Sequence, residues 1–235
     1  MSHQPCMQTV RRSRLIESIR WLDRGCWNYL VRTACVLVCG IFLNPLASWG
    51  ASSSAPDDAR EVLKSGTVEV GIAGGFWQGI KFLNHAPSLD RSAVFVLPKL
   101  GIIVTDELRA GLLSGNLELA VEPLVARFTK PFPAEAAGGA WMIKYNLLSF
   151  GHWVPFWDAG AGMLWTNLAP RIPEQSTQFN FVLETGPGIN YFLTQSLTVT
   201  AGVRYHHISN SDLGQRNTGL NAVLPYFGLS WFFPR

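Results

Sequence analysis

From about residue 66 onward the chain alternates apolar with small or polar side chains at a period of two, in eight segments. They run approximately over 66–76, 92–105, 115–128, 140–150, 153–166, 177–192, 196–209 and 221–233. A strand turns successive side chains to opposite faces, so this period predicts strands, and no amphipathic pattern predicts a helix longer than three turns. Val68, Val70 and Ile72 alternate with Glu69, Gly71 and Ala73, and Leu117, Leu119, Val121 and Val125 with Asn116, Glu118, Ala120 and Glu122. Phe179, Phe181, Leu183, Ile189 and Tyr191 oppose Asn180, Glu184, Gly186 and Asn190.

The second face decides what kind of β protein this is. It carries Gly, Ser, Thr, Asn, Glu and Arg without the Lys/Glu density of a solvated surface, and charged residues make up only 15% of the chain. A soluble sandwich or lipocalin-like barrel would turn its apolar face inward. Strands near ten residues, greasy on one face and small-polar on the other, predict a transmembrane barrel with lipid outside and a packed polar lumen. Closure satisfies every backbone group, as hydrocarbon requires. The expected fold is all-β: an eight-stranded antiparallel outer-membrane barrel spanning 66–235, too narrow for an open pore. With odd strands running outward, the outer loops are expected at 77–91, 129–139, 167–176 and 210–220, and short inner turns at 150–153 and 192–196, with 106–114 the long exception. Phe76, Trp77, Trp141, Trp153, Phe156, Trp157, Trp165, Trp231, Phe232 and Phe233 fall near predicted strand ends and suit interfacial girdles.

Residues 1–50 read differently. Six arginines from Arg11 to Arg32 precede the apolar run Ala34–Leu43, and small residues follow from Ala47. Basic, apolar, small is the order of a secretory signal, with cleavage expected between Gly50 and Ser54. Residues 51–65 then read as a periplasmic lead-in. All four cysteines, Cys6, Cys26, Cys35 and Cys39, lie in the leader, so the expected mature chain has no disulfide or thiol chemistry. The leader holds six Lys/Arg against two Asp/Glu and the remainder thirteen against fourteen, so the net +3 belongs to the leader and gives no support to nucleic-acid binding.

Candidate chemistry gathers in the last hairpin. On the segment from Leu197, one face carries Leu197, Val199, Ala201, Val203 and Tyr205 and runs on into His207 and Ser209. On the return segment Val223, Phe227, Leu229, Trp231 and Phe233 share a face with Asn221. A hairpin turning through 210–220 sets Asn221 beside His207 and Ser209. A base and a hydroxyl within mutual reach are the minimum for nucleophilic catalysis, and an amide can orient the base. The plainer reading is that these are ordinary polar strand-end residues. Glu69, Glu118, Glu122, Asp158, Glu184 and Arg204 all fall on the lumen face, where a buried ion-pair network is expected rather than a catalytic carboxylate pair. Gly160-Ala161-Gly162 and Gly186-Pro187-Gly188 precede no helix and are expected to let the wall pack closely, not to bind phosphate. No His/Cys spacing suggests a metal, and no cofactor is expected.

Arg204-Tyr205-His206-His207-Ile208-Ser209-Asn210, then Asn217-Thr218-Gly219-Leu220-Asn221 and a last strand ending in aromatics, resembles the lipid A 3-O-deacylase (PagL) family of outer-membrane acyl hydrolases. The similarity is strongest over 155–235, where Asp158–Gly162 and Gln178–Phe181 also look familial. The resemblance implies a serine esterase that removes the ester-linked 3-hydroxyacyl chain at position 3 of lipid A, from a site open to the outer leaflet. It implies Ser209 as nucleophile, His207 as general base, and the Asn210 side chain as an oxyanion donor, with the backbone N–H at Asp212 a second. Lipid A or lipopolysaccharide is the expected partner, the outer membrane the expected location, and a homodimer a further expectation. Two positions depart from the family pattern: Asn221 stands where it has an orienting Glu, and Ser211-Asp212 where it has a small Ala-Gly pair. Two other functions are compatible with the pattern. One is a catalytically silent barrel with a structural, lipid-binding or adhesive role; the other is an esterase or acyltransferase acting on another outer-leaflet lipid.

Overall fold

The structure is a computed structural model and describes residues 54–81 and 90–235. The predicted signal segment lies outside them. Eight strands follow in order: β1 Val68–Gly79, β2 Ser92–Ile103, β3 Gly115–Lys130, β4 Ala134–Leu147, β5 Trp153–Thr166, β6 Phe179–Phe192, β7 Leu197–Ser209 and β8 Leu220–Phe233. Each pairs antiparallel with the next, and β8 returns to β1, closing an eight-stranded barrel. No helix of the described residues is long and apolar enough to cross a membrane, so any crossing is made by strands.

The period-two pattern becomes inside and outside. On β7, Thr198, Thr200, Arg204, His206 and Ile208 are buried in the lumen, while Val199, Ala201, Val203, Tyr205, His207 and Ser209 stand on the outer wall. That wall exposes Val94, Leu100, Ile143, Met163, Leu183 and Phe227, each more than half accessible. A continuous apolar band of this kind belongs in hydrocarbon, not water. Wall contacts are close: a Cβ added at Gly186 would lie 2.0 Å from the Val203 carbonyl oxygen across the β6–β7 ladder, so only glycine fits there.

The lumen fills in three layers. At the end holding both chain termini of the barrel, Ala59, Val62 and Leu63 of the lead-in pack with Ile103, Leu148, Val154, Phe192 and Phe232. Asn116 Nδ2 donates to the Leu63 carbonyl at 2.8 Å, pinning this plug. Above it lie the charges. Lys144 bridges Glu69 and Glu118, Lys99 pairs with Glu69 at 2.9 Å, and Arg204 gathers Glu122, Asp158 and Glu184, all buried but Lys99, which is partly exposed. The third layer is apolar, with Trp77, Phe95, Phe128, Leu164, Ile208 and Leu224 closing the opposite end.

Three expectations change. The β3–β4 connection is only residues 131–133, because β4 begins at Ala134. Ala134 and Ala136 face the lumen, but alanine and glycine across this stretch carry no apolar–polar contrast to read. Trp141 therefore stands in the middle of β4, opposite Val121 and Ala161, rather than at a strand end. Trp77, Phe156 and Phe232 are not girdle residues: all three point inward and fill the lumen.

Candidate active site

β7 carries its side chains outward in the register His207 opposite Asn221 and Ile208 opposite Leu220 on β8. Continuing that register sets Gly219 beside Ser209. On the other side β6 places Leu183 opposite His207 and Phe181 opposite Ser209. The polar pair thus sits at the last turn of an otherwise greasy wall, half-buried, with Leu183 exposed beside it.

Asn221 is the centre of the arrangement. Its Oδ1 lies 2.6 Å from His207 Nδ1 and accepts a hydrogen bond of 2.5 Å from the Tyr205 hydroxyl. A carbonyl oxygen can only accept, so the network assigns the proton to Nδ1 and leaves the Nε2 lone pair free. The ring edge bearing that lone pair leans toward Gly219. A Cβ there would fall 2.8 Å from His207 Cε1 and 3.5 Å from Nε2, and Gly219 itself takes φ +74°, a left-handed conformation that glycine adopts without steric cost. The imidazole therefore reaches along the wall toward the strand position of Ser209. Among the described residues, Ser209 Oγ makes no hydrogen bond, so the hydroxyl is uncommitted.

The two oxyanion donors expected from the resemblance are placed differently. Asn210 follows Ser209 on the opposite phase of the strand and is fully buried. Its Nδ2 donates to the Arg216 carbonyl at 2.9 Å, and its Oδ1 accepts the Asp212 N–H at 3.1 Å. Both groups are therefore used to fold the 210–219 loop, and neither is turned to the outer wall beside Ser209. Ser211 and Asp212 adopt φ +48° and +60°, a strained pair for residues with a Cβ. Asn217 ties the turn by accepting from Asn210 N and donating to Asp212 Oδ1, each at 3.0 Å. The 167–178 loop braces it from outside, with Gln175 Nε2 donating to the Ile208 carbonyl at 3.1 Å and Thr218 N to the Glu174 carbonyl at 2.9 Å.

His206, the neighbour of His207, belongs to a different environment. It is buried in the lumen, where its Nδ1 accepts the Trp77 indole N–H at 3.1 Å, and the strand phase separates it from the outer wall. The alternation places Tyr205 on the outer face without assigning it a role, and Gly219 enters the sequence argument only within the loop and the Asn217–Asn221 motif. The signal for Tyr205 was its phase: two residues before His207 it is diagonal to Asn221 across the ladder. Among the described residues no group of three or more His, Cys, Asp or Glu is arranged to hold a metal ion.

A family model described as lipid A 3-O-deacylase (PagL) matches residues 106–230. The chain belongs to the lipid A 3-O-deacylase (PagL) family. The match takes in His207, Ser209 and Asn221 but starts after β2, which joins the barrel by strand pairing rather than by recognisable sequence. Among solved structures, the outer-membrane enzyme PagL is 18% identical, with 71% of this chain and 99% of that chain covered at a TM-score of 0.47. The N-terminal β-barrel domain of Pseudomonas aeruginosa OprF is 14% identical over 72% and 98%, TM-score 0.47, and Neisserial surface protein A is 17% identical over 72% and 96%, TM-score 0.43. No curated protein matches the chain. The family and the exposed apolar wall together locate this deacylase-family barrel in the outer membrane. The comparisons give the expected homodimer no support.

Proposed function

We propose that this barrel is an outer-membrane serine esterase that removes the ester-linked 3-hydroxyacyl chain at position 3 of lipid A, with Ser209 as nucleophile and His207 as general base. The observation that carries the reading is the hydrogen bond from His207 Nδ1 to Asn221 Oδ1 on a lipid-facing wall, with the uncommitted Ser209 hydroxyl two residues along the same face. An acyl ester of the outer leaflet meets the protein from the side, and this is a side-opening site.

The chemistry follows from the proton inventory. Ser209 Oγ attacks the ester carbonyl while His207 Nε2 takes its proton, and Asn221 keeps Nδ1–H pointed away from the serine. The tetrahedral intermediate collapses by breaking the bond to the sugar oxygen, which receives that proton and leaves as the alcohol. Water, deprotonated in turn by His207, attacks acyl-Ser209, and the second intermediate collapses as Ser209 Oγ takes that proton back and the 3-hydroxy fatty acid is released. A donor fixed on the intermediate's oxyanion typically contributes about 3 kcal/mol. Asn210 and Asp212 supply it only if the 210–219 turn opens on substrate, freeing the Asp212 N–H from Asn210 Oδ1.

Lipid A mass spectrometry tests the reading. Expressed in an outer membrane without such an enzyme, the native chain is expected to strip one 3-hydroxyacyl mass from lipid A, and Ser209→Ala and His207→Ala to strip none. Unchanged lipid A from a folded, heat-modifiable native barrel would refute the deacylase. Loss of a different acyl chain would move the substrate but keep the esterase.

A further inference from the structure

Resting on that reading, we infer that Tyr205 is a positioning residue for His207: its hydroxyl selects the orientation of the Asn221 amide and thereby the histidine tautomer that can take the serine proton. A carboxylate offers two equivalent oxygens, so it accepts from Nδ1–H whichever way it lies. An amide does not. Flipped, Asn221 presents Nδ2–H₂ to the imidazole, which then answers with a bare Nδ1 and carries its proton on Nε2. That tautomer cannot accept from Ser209. A chain with Asn at this position therefore needs something to decide the flip.

Tyr205 is built to decide it. A phenolic O–H donates readily but accepts poorly, because its lone pair is drawn into the ring. Set 2.5 Å from Asn221 Oδ1, it favours the carbonyl on the side where His207 Nδ1 lies at 2.6 Å. The two donors converge on one oxygen of a side chain that is itself buried. Tyr205 occupies the same outer face of β7, two residues before His207 and diagonal to Asn221, which pairs with His207. The ladder thus fixes all three in one plane of the wall. Tyr205 and Ser209 fall on opposite sides of His207 along β7, and the Tyr205 hydroxyl is directed at Asn221, so Tyr205 acts through Asn221 and not on substrate.

The test is a two-by-two comparison of Tyr205→Phe in the native and Asn221→Asp backgrounds, with the purified barrel in detergent micelles. In the native background Tyr205→Phe is expected to lower kcat about tenfold with KM little changed, the effect of one hydrogen bond acting on the reactive tautomer. With Asn221→Asp the same change is expected to cost about threefold or less, because a carboxylate needs no help choosing its face. Nitrogen-15 spectra of the histidines, assigned by their loss in His207→Ala, read the tautomer directly. The native His207 is expected to be protonated at Nδ1, and Tyr205→Phe to shift population to Nε2–H. Equal losses in both backgrounds, or an unmoved tautomer, would overturn the inference. The spectra decide it even if the barrel cleaves no lipid A, in which case the proposed substrate fails separately.

Discussion

At the scale of single residues, the turn after Ser209 is unusual at Ser211 and Asp212, where the chain takes two successive left-handed conformations with ordinary L side chains. Left-handed backbone disfavours any residue with a Cβ by roughly 1–2 kcal/mol, and Asp tolerates it best by bonding locally, as Asp212 does with Asn217. In the proposed reaction Asp212 also brings a negative charge near the developing oxyanion. Asp212→Gly removes both obstacles and loses one exposed hydrogen bond. It is expected to leave the barrel as stable or up to about 1 kcal/mol more so and to raise the deacylation rate several-fold. Urea titration of the refolded barrel and the initial rate of fatty-acid release check the two halves. A slower variant would mean that the carboxylate serves the site, not merely the turn. That His207, Ser209 and Asn221 share one face is legible because phase alone assigns a strand residue to a face. The engagement of Asn210 is not, since it depends on partners within the 210–219 loop, Arg216 and Asn217, whose placement no periodicity encodes.

At the scale of elements, the hairpin of β7 and β8 shows where sequence pattern stops. Leu197 to Ser209 alternates, Val223, Phe227, Leu229, Trp231 and Phe233 keep the phase of Asn221, and the ladder has the register these phases demand. The β3–β4 hairpin was read with a long loop because Ala134–Gly139 offers nothing but small side chains, and small residues suit either face of a narrow barrel. Trp77, Phe156 and Phe232 misled in the opposite way: an aromatic near a strand end fits a girdle or a plug equally, and only its phase against neighbours separates the two. Gly219 combines both lessons, because it is the point where the loop becomes β8 and the ground over which the imidazole lies. Gly219→Ala must hold φ near +74° and place a methyl 2.8 Å from His207 Cε1. The expected result is a barrel that still inserts and shows heat-modifiable migration but releases fatty acid at least about tenfold more slowly, since the ring can no longer reach along the wall. Full activity would mean that His207 works from a different rotamer.

At the scale of the whole molecule, the lumen is what makes an outer-wall site possible. A serine and a histidine on a lipid-facing surface take their geometry from the stiffness of the wall behind them. That stiffness is supplied by three filled layers, and Arg204 is the centre of the middle one. It lies between Val203 and Tyr205 on β7 and pulls Glu122 of β3, Asp158 of β5 and Glu184 of β6 toward one guanidinium, stacked 4.7 Å over the Tyr226 ring of β8. One side chain thus ties five strands at the level just inside the site. Replacing it with Met would leave three buried carboxylates without their cation, a change that typically costs about 3–5 kcal/mol when one partner of a buried network is removed. Arg204→Met is therefore expected to lower the urea midpoint of the barrel in detergent and, because β7 is loosened one residue from Tyr205, to reduce deacylation as well. Adding Glu122→Gln, Asp158→Asn and Glu184→Gln removes the stranded charges and is expected to restore most of the stability. Activity should return with it if rigidity alone matters to the site. Stability recovered without activity would mean that Arg204 also sets the pitch of β7, so that the hydroxyl of Tyr205 meets Asn221 only when the guanidinium holds the strand in place.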